Sequence, residues 1–267
     1  MNKLFTYSTS ILLLFLSLSN LSSCKQKGED KKDEQIRFSD YDERNASDTG
    51  INSIIGNITM EQIATKPSSI VLTGLSKHRL VPIYKAKEET KETSNYIITG
   101  SWMGDDEGGY SEIEEHFMPG IDILFGYKLL NLSHYDFTKE KSNFFFTHPV
   151  FIKTVYFPAI EQDSINKKPI NRNYYLVSVY DEDTNKDTVL NRRDLRRFYH
   201  FDSTAVVKTA LIPTDYSVIR SQYDYQNDLM YIYARQDKNK NGSSESNEPI
   251  HIFWFSLKNP AVAKRIY

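Results

Sequence analysis

The chain has 267 residues, of which 33 are lysine or arginine and 35 are aspartate or glutamate, so its formal net charge is −2. Because the two signs are balanced and interspersed, the composition argues against a nucleic-acid-binding protein and against a polybasic membrane-binding patch. The single cysteine excludes an intramolecular disulfide framework.

The first 23 residues are typical of a secretory signal peptide. They contain one charged side chain, Lys3, and then the apolar run 11–16, which is too short to cross a bilayer of about 30 Å as a helix. Residues 21–23 (LSS) precede Cys24, and this ending resembles a bacterial lipobox, whose cysteine is acylated and becomes the new N-terminus. We therefore predict lipidation of Cys24; the alternative is an ordinary signal peptide that happens to end near a cysteine.

Residues 24–50 are predicted to follow as the lipidated cysteine and a disordered, charged tether. Between positions 25 and 50, 14 of the 26 residues are charged, so the segment can bury little apolar surface. A flexible chain of this length spans roughly 25–30 Å. Without residues 1–23 the net charge is −3, and no later stretch reaches 18 consecutive apolar residues, so lipid alone is expected to hold the protein at the membrane.

Residues 51–267 predict one β-rich domain. The chain has 18 tyrosines and 15 phenylalanines, and its apolar residues form short runs bounded by turn-forming residues, which is typical of strands. No long stretch shows the 3.6-residue periodicity of an amphipathic helix, so we predict an antiparallel all-β fold. Fourteen strands are predicted: Ser69–Thr73, Arg79–Tyr84, Tyr96–Gly100, Ile121–Phe125, Leu129–Phe137, Asn143–Thr147, Phe151–Phe157, Tyr174–Tyr180, Arg197–Phe201, Val206–Ile212, Ser217–Tyr223, Leu229–Ala234, Ile250–Leu257 and Ala261–Ile266.

The second half of the domain contains an internal repeat. When Asp183 is aligned with Asp237, the predicted strands before and after these residues also match, which defines units of about 151–212 and 217–267. Each unit reads as four strands with a polar loop in the middle, and four-stranded repeats of this length are typical of β-propeller blades. Two weaker units precede these. Four units are near the lower limit for a closed ring, so a β-sandwich is the alternative to this propeller-like fold.

Each unit carries a 12-residue loop with oxygen-bearing side chains at alternate positions and a carboxylate at position twelve. A Ca²⁺ ion takes six to eight oxygen ligands, and an EF-hand-type loop supplies them from positions 1, 3, 5, 7, 9 and 12. Asp, Asn, Gly and Ser also form ordinary turns, but two loops in register at equivalent places in a repeat favour calcium sites. The predicted ligands are Asp183, Asn185, Asp187, Val189, Asn191 and Asp194 in the first loop and Asp237, Asn239, Asn241, Ser243, Glu245 and Glu248 in the second.

Both loops depart from the ideal pattern. In the first loop, Thr188 occupies position six, where glycine normally makes a sharp turn, and Asp194 is one methylene shorter than the usual glutamate. A left-handed backbone at Thr188 would cost about 1–2 kcal/mol, so we expect the first loop to bind more weakly or to tolerate Mg²⁺. The second loop has Gly242 and Glu248 in the ideal places, but asparagines at positions three and five reduce its charge there.

The residues that flank both loops predict strands rather than helices. Residues 174–180 and 229–234 precede the loops, and Pro249 directly follows the second loop before a β-type run. A loop fixed between two strands has little room to open as a calcium sensor does. We therefore expect structural calcium, which holds strands together, rather than regulatory calcium.

Four segments carry a resemblance to a known family: 72–80 (LTGLSKHRL), 116–120 (HFMPG), 180–187 (YDEDTNKD) and 248–254 (EPIHIFW). They resemble uncharacterised envelope lipoproteins of Bacteroidetes, flavobacteria in particular. The resemblance implies an outer-membrane lipoprotein with EF-hand-type loops and implies no particular activity. In that group an acidic cluster after the lipidated cysteine accompanies exposure at the cell surface. Here the acidic pair 29–30 is interrupted by lysines, so surface and periplasmic orientations both stay open.

No motif identifies an enzyme. The six histidines form no H-E-x-x-H pair, and the sequence holds neither a G-x-S-x-G elbow nor a phosphate-binding glycine loop. His200 and His251 lie in aromatic strands, where we expect half-buried, hydrogen-bonded side chains. Acidic residues 105–107 and 114–115, together with His116, are the remaining candidates for acid–base chemistry.

Two functions are therefore compatible with the sequence. The first is a non-catalytic, calcium-stabilised β-domain on a lipid anchor, which binds an envelope protein or a glycan through exposed aromatic residues such as Trp102, Tyr110 and Phe117. The second is a calcium-dependent hydrolase of carbohydrates or phosphoesters, with acidic residues in loops at one end of the β-structure. We favour the first; convergence of the acidic candidates with His116 in one pocket would favour the second.

Overall fold

A computed structural model describes residues 54–55, 59–86, 96–98 and 118–267, all of which belong to one compact unit, residues 44–267. The predicted signal peptide, Cys24 and the tether lie outside the described residues. Within the described part of the chain the one helical element is the short 3₁₀ turn Met60–Gln62. None of the helices in that part is long and apolar enough to span a membrane.

The predicted antiparallel all-β fold is confirmed. Each of the fourteen predicted strands overlaps an observed one, and the observed strand pairs are all antiparallel. The strands are β1 (Ile54–Ile55), β2 (Thr65–Pro67), β3 (Val71–Leu72), β4 (His78–Lys85), β5 (Tyr96–Ile98), β6 (Ile121–Asp136), β7 (Lys141–Phe144), β8 (Phe151–Pro158), β9 (Ser164–Ile165), β10 (Lys168–Pro169), β11 (Tyr174–Tyr180), β12 (Val189–Leu190), β13 (Arg197–Asp202), β14 (Lys208–Ala210), β15 (Tyr216–Asp224), β16 (Leu229–Gln236), β17 (Ile250–Ser256) and β18 (Lys264–Arg265).

Ten of these strands form one large sheet. Its main path runs β14-β13-β11-β8-β6-β4-β2, with β3 paired to β4 and with β5 and β7 paired to β6. The runs Ile121–Phe125 and Leu129–Phe137, predicted as two strands, belong to the single long strand β6. The pairing of β6 with β8 shifts register between Phe125 and Leu129, which is the irregularity that separates the two runs in the sequence.

The last four strands form a smaller sheet of their own, in the order β15-β16-β17-β18. Apart from Tyr216, its strands lie within residues 217–267. In the range 151–212, β8, β11, β13 and β14 belong to the large sheet, whereas β9 pairs with β10 and β12 pairs with β1. The difference follows from side-chain alternation. Strand β11 is buried on both faces from Tyr174 to Val179, so it can occupy the middle of the large sheet, whereas β16 alternates between buried and half-buried residues.

The large sheet separates two hydrophobic clusters. On one face, Tyr175, Val177 and Val179 of β11 join a cluster with β4, β8 and the segment after β7. On the other face, Tyr174 and Leu176 join a second cluster, which the small sheet completes; its contributions include Met230, Ile232 and Ala234 of β16 and Phe253, Phe255 and Leu257 from β17 and just beyond it. The small sheet therefore covers one face of the large sheet.

A buried ion pair reinforces this contact between the sheets. Arg172, just before β11, donates from Nη1 to Oδ2 of Asp228 at 3.0 Å and from Nη2 to Oδ1 at 2.6 Å. Asp228 lies in the β15–β16 turn, and the Tyr223 hydroxyl donates to the same carboxylate at 3.3 Å. The side chain of Arg172 is 1 % exposed and that of Asp228 is 17 % exposed, so water screens this pair only weakly.

Candidate metal centre

The two predicted loops each connect neighbouring antiparallel strands. The first loop, Asp183–Asp194, lies between β11 and β13, and the second, Asp237–Glu248, lies between β16 and β17. The prediction that strands flank both loops is confirmed. The first loop also contains β12, which pairs with β1, a contact that no residue pattern in the sequence indicated.

The aspartate at position one closes each loop in the same way. Asp183 accepts hydrogen bonds from the N–H groups of Asp187 at 3.2 Å and Thr188 at 2.8 Å. Asp237 accepts them from the same positions five and six, which are Asn241 at 3.1 Å and Gly242 at 2.9 Å. In each loop, one carboxylate therefore fixes the turn that follows it.

The side chains at positions three and five continue this pattern. At position three, Asn185 Oδ1 and Asn239 Oδ1 each accept from the N–H of position five at 3.0 Å. At position five, Asp187 Oδ1 accepts from the N–H of Val189 at 2.9 Å, and the Oδ1 of its counterpart in the second loop accepts from the N–H of Ser243 at 2.8 Å. Since the N–H of position five bonds to both position one and position three, those two oxygens lie close together in each loop.

The carboxylate at position twelve ties the two ends of each loop together. Asp194 accepts from the N–H of Thr184 and of Asn191, both at 2.8 Å. Glu248 accepts from the equivalent positions two and nine, at 2.9 Å and 3.1 Å. Asp194 thus makes the contacts of the longer glutamate, even though it is one methylene shorter. Both are buried: Asp194 is 0 % exposed and Glu248 is 8 % exposed.

The backbone angles of the two loops also agree. At position four, φ is 60° for Lys186 and 59° for Lys240; at position six, φ is 71° for Thr188 and 76° for Gly242. The left-handed turn predicted at position six is therefore present in both loops. A β-branched threonine in this region is strained, by about 1–2 kcal/mol, whereas glycine adopts it freely.

The loops differ most at position nine. In the second loop, the Glu245 carboxylate accepts from Asn239 Nδ2 at 3.1 Å and from Asn241 Nδ2 at 2.7 Å, so three predicted ligand side chains meet there. In the first loop, Asn191 Nδ2 donates to the carbonyl of Val189 at 3.3 Å, which brings the position-nine side chain to the position-seven oxygen. The second loop therefore gathers more of its predicted ligand side chains.

The two loops are in direct contact with each other. The Thr184 hydroxyl donates to the carbonyl of Gly242 at 2.6 Å and accepts from the N–H of Leu195 at 2.8 Å. Asp194 and Ser243 form an isolated antiparallel bridge. A Cβ atom on Gly242 would lie 1.9 Å from the carbonyl oxygen of Thr184, so only glycine fits at this contact. The sequence around Thr184 did not indicate this contact; the one available signal was the glycine opposite it.

The carboxylate of Asp194 is harder to ionise than an exposed one. Burial is the main cause of its raised pKa; three backbone N–H groups lower the pKa, and the charge of Asp183 adds a smaller increase. A cation bound beside Asp194 would favour its ionised form. A cleft beside the loops is lined by Asp183, Asp237 and the lysines at position four of each loop.

The oxygens available in the loops are hard ligands, which suit Ca²⁺ rather than Zn²⁺ or Cu²⁺. In the described part of the chain, no three His, Cys, Asp or Glu side chains form a metal-binding group. A cation in either loop would depend on asparagine, serine and main-chain oxygens together with the carboxylates. A carboxylate oxygen that already accepts one N–H retains lone pairs for such a cation.

Of the other residues considered in the sequence, the structure describes the two strand histidines but not the acidic and aromatic loop candidates. His251 Nδ1 hydrogen-bonds with the Tyr216 hydroxyl at 2.8 Å, and the His200 ring lies 5.5 Å from that of Tyr174. Burial lowers the pKa of both histidines, as is usual for half-buried strand positions. The acidic candidates 105–107 and 114–115, with His116, and the aromatic residues Trp102, Tyr110 and Phe117 lie outside the described residues.

No protein-family model matches the chain, and no curated protein matches it. Its fold and loops define an antiparallel β-protein with two contacting 12-residue polar loops that share one pattern of hydrogen bonds.

Proposed function

We propose that this chain is a calcium-stabilised, lipid-anchored protein of the cell envelope, whose β-domain binds a partner rather than catalysing a reaction. The observation that carries the calcium proposal is the agreement between the two loops. The same six hydrogen bonds recur in both loops. Their donors are the N–H groups of positions two, five (twice), six, seven and nine. Their acceptors are the side chains of positions one, three, five and twelve. Single bonds of this kind occur in ordinary polar turns, but two unrelated turns would not be expected to repeat all six.

The contact between the loops supports a structural role for the ions. The first loop joins two strands of the large sheet, the second joins two strands of the small sheet, and Thr184 and Gly242 connect them. An ion in each loop would hold four strand ends in place and stabilise the contact between the sheets. Neither loop is attached to a helix that could move upon binding, so the proposal is structural calcium rather than a switch.

The test is thermal melting of the calcium-stripped chain from residue 24 onward, with Cys24→Ser to prevent acylation, in increasing Ca²⁺. Extracellular modules bind calcium at about 10⁻⁴–10⁻³ M, so 10 mM Ca²⁺ is expected to add about 1.4–2.7 kcal/mol per site. For a domain of this size that is a rise of about 3–11 °C in melting temperature. The same concentration of Mg²⁺ should produce a smaller rise.

Variants assign the rise to individual loops. Asp237→Ala or Glu248→Ala is expected to remove more of the calcium-dependent rise than Asp183→Ala, because the second loop has glycine at position six and a carboxylate at position nine. The reverse order would mean that aspartates at positions one, five and twelve outweigh the strained Thr188. Absence of any calcium-dependent shift would return both loops to ordinary polar turns.

The lipid anchor is tested separately, through Cys24. The complete chain, produced in a bacterium that processes lipoproteins, is expected to incorporate radiolabelled palmitate and to sediment with membranes. Cys24→Ala should lose the label. When residues 1–23 are also replaced by a signal peptide that is cleaved without a cysteine, the protein should appear in the soluble fraction. Continued sedimentation of the unlabelled variant with membranes would contradict the anchor.

A further inference from the structure

The small sheet presents an aromatic face on the side away from the hydrophobic core. Along β16, Met230, Ile232 and Ala234 point into the second cluster, so the alternate residues Tyr231 and Tyr233 point outward. Trp254 of β17 is directly opposite Tyr231 and therefore lies on the same outer face. All three rings are half-buried rather than buried. We call Tyr231, Tyr233 and Trp254 the aromatic face.

Polar groups surround the rings in a fixed arrangement. The Tyr231 hydroxyl donates to Asp224 Oδ2 at 3.3 Å, and the Tyr233 hydroxyl donates to Gln222 Oε1 at 3.0 Å. Both bonds are diagonal in the strand register, because Gln222 is directly opposite Tyr231 and Asp224 is directly opposite Leu229. Across the sheet, Tyr231 is opposite Trp254, and Trp254 is opposite Lys264. The face is therefore a set of aromatic surfaces with hydrogen-bonding groups between them, and not a continuous apolar patch.

The charged groups around the face are mainly basic. The Arg220 guanidinium lies 3.5 Å from the centre of the Tyr233 ring, and Lys264 Nζ lies 5.3 Å from the centre of the Trp254 ring. Arg235 follows Tyr233 by two positions on the same side of β16; its Nη1 donates to Ser244, and its buried Nε has no hydrogen-bond partner. Three cations thus accompany one carboxylate, that of Asp224, although the whole chain is slightly acidic.

We infer that the aromatic face binds an acidic glycan, a chain of pyranose rings that bear carboxylate or sulfate groups. The apolar C–H face of a sugar ring packs on a flat aromatic side chain, and its hydroxyls bond to groups such as Gln222 and Asp224. A uronate or sulfate group would pair with Arg220 or Lys264, as guanidinium and ammonium groups pair with planar or tetrahedral anions. The inference rests on the proposed binding role of the domain and does not depend on its calcium loops.

A protein partner fits this face less well. A stable protein interface has a buried apolar core, whereas here each ring is bordered by a polar or charged side chain. Single-stranded nucleic acid also stacks on aromatic rings beside cations, but it requires a positively charged groove along its backbone. An acidic glycan needs only one or two cations at spaced positions.

The experiment is titration calorimetry of the chain from residue 24 with Cys24→Ser. The probes are hexagalacturonate, which carries carboxylates, a chondroitin sulfate hexasaccharide, which carries carboxylates and sulfates, and neutral cellohexaose. We expect binding of at least one acidic probe, weaker binding as NaCl is raised, and at least tenfold weaker binding of cellohexaose. Measurement in Ca²⁺ and in EDTA separates this inference from the calcium proposal, because the readout is glycan affinity rather than melting temperature.

The decisive variant is Trp254→Ala, which should weaken acidic-glycan binding at least tenfold. Its matched control is Tyr225→Ala, since Tyr225 is an aromatic residue in the β15–β16 turn that is 74 % exposed and lies outside the face. Arg220→Gln with Lys264→Gln keeps the rings and should abolish the preference for acidic over neutral probes, so the test does not depend on a well-folded tryptophan variant.

Three results would overturn the inference. The first is the absence of binding to both acidic probes, and the second is equal affinity of the Trp254→Ala and Tyr225→Ala proteins. The third is tighter binding of single-stranded oligothymidylate than of either acidic probe, which would assign the face to nucleic acid.

Discussion

Gly242→Ala is expected to lower the melting temperature of the domain by roughly 4–20 °C, because two independent penalties coincide at this position. The backbone of Gly242 is left-handed, with φ of 76°, which costs an alanine about 1–2 kcal/mol. The added Cβ would also lie 1.9 Å from the oxygen and 2.3 Å from the carbon of the Thr184 carbonyl. These are main-chain atoms, so relief requires the two loops to separate, at a further cost of about 1–3 kcal/mol. At about 2–4 °C per kcal/mol, the sum gives the expected decrease.

The matched control is Thr188→Gly at position six of the first loop. Its backbone has the same handedness, with φ of 71°, so glycine relieves strain and we expect unfolding free energy to rise by up to about 1 kcal/mol. If Gly242→Ala lowers the stability and Thr188→Gly raises it, then backbone conformation and the contact between the loops determine the stability change at position six. A decrease below 2 °C for Gly242→Ala would contradict the direct contact with Thr184.

The internal hydrogen bonds of the loops were predictable because they are local. Each joins residues at most ten positions apart, such as Thr184 with Asp194, and the residue types at positions one, three, five and twelve determine which bonds can form. The contact between the loops was not predictable in this way. Thr184 and Gly242 are 58 residues apart, and they meet only because the small sheet packs on the large one.

The strands show the same division between local and long-range information. Alternation in β16 and the continuous apolar run in β11 are visible in the sequence, and both indicate strands. The alignment of the two repeat units predicts β11 and β16 as equivalent strands. In the structure, β11 is buried on both faces and lies inside the ten-stranded sheet. Strand β16 is buried on one face, so its other face forms an outer surface.

The aromatic face on the outer surface of the small sheet was not predictable from the sequence. Tyr231, Tyr233 and Trp254 lie in apolar strands and read as core positions, because alternation alone does not say which of two apolar faces the core covers. The buried partners Met230, Ile232 and Phe253 settle this only once the packing of the second cluster is known. For Trp102, Tyr110 and Phe117, which are predicted to lie in loops, the sequence alone predicts surface exposure, since loops normally lie at the surface.

Asp228→Ala is expected to destabilise the domain by about 3–5 kcal/mol, because it leaves the Arg172 guanidinium buried without its counter-charge. Both hydrogen bonds of the pair are short, at 2.6 Å and 3.0 Å, and the side chain of Arg172 is 1 % exposed. The backbone at Asp228 is also left-handed, with φ of 54°, so part of the loss comes from placing alanine there. Asp228→Asn separates the two terms, since asparagine tolerates this conformation while it removes the charge and one of the two acceptor oxygens. Denaturant unfolding curves provide the measurement.

We expect the pair to contribute more to the specificity of sheet packing than to net stability, and a double variant tests this distinction. Arg172→Met with Asp228→Asn removes both charges, so it is expected to be more stable than Asp228→Asn alone, in spite of having lost more hydrogen bonds. A pair with an exposed carboxylate supplies the reference. The side chain of Glu182 is 72 % exposed and lies 3.5 Å from the buried Arg197, so Glu182→Gln should change stability by less than about 1 kcal/mol. If Asp228→Asn costs no more than Glu182→Gln, then Arg172 is not desolvated and the ion pair does not hold the small sheet against the large one.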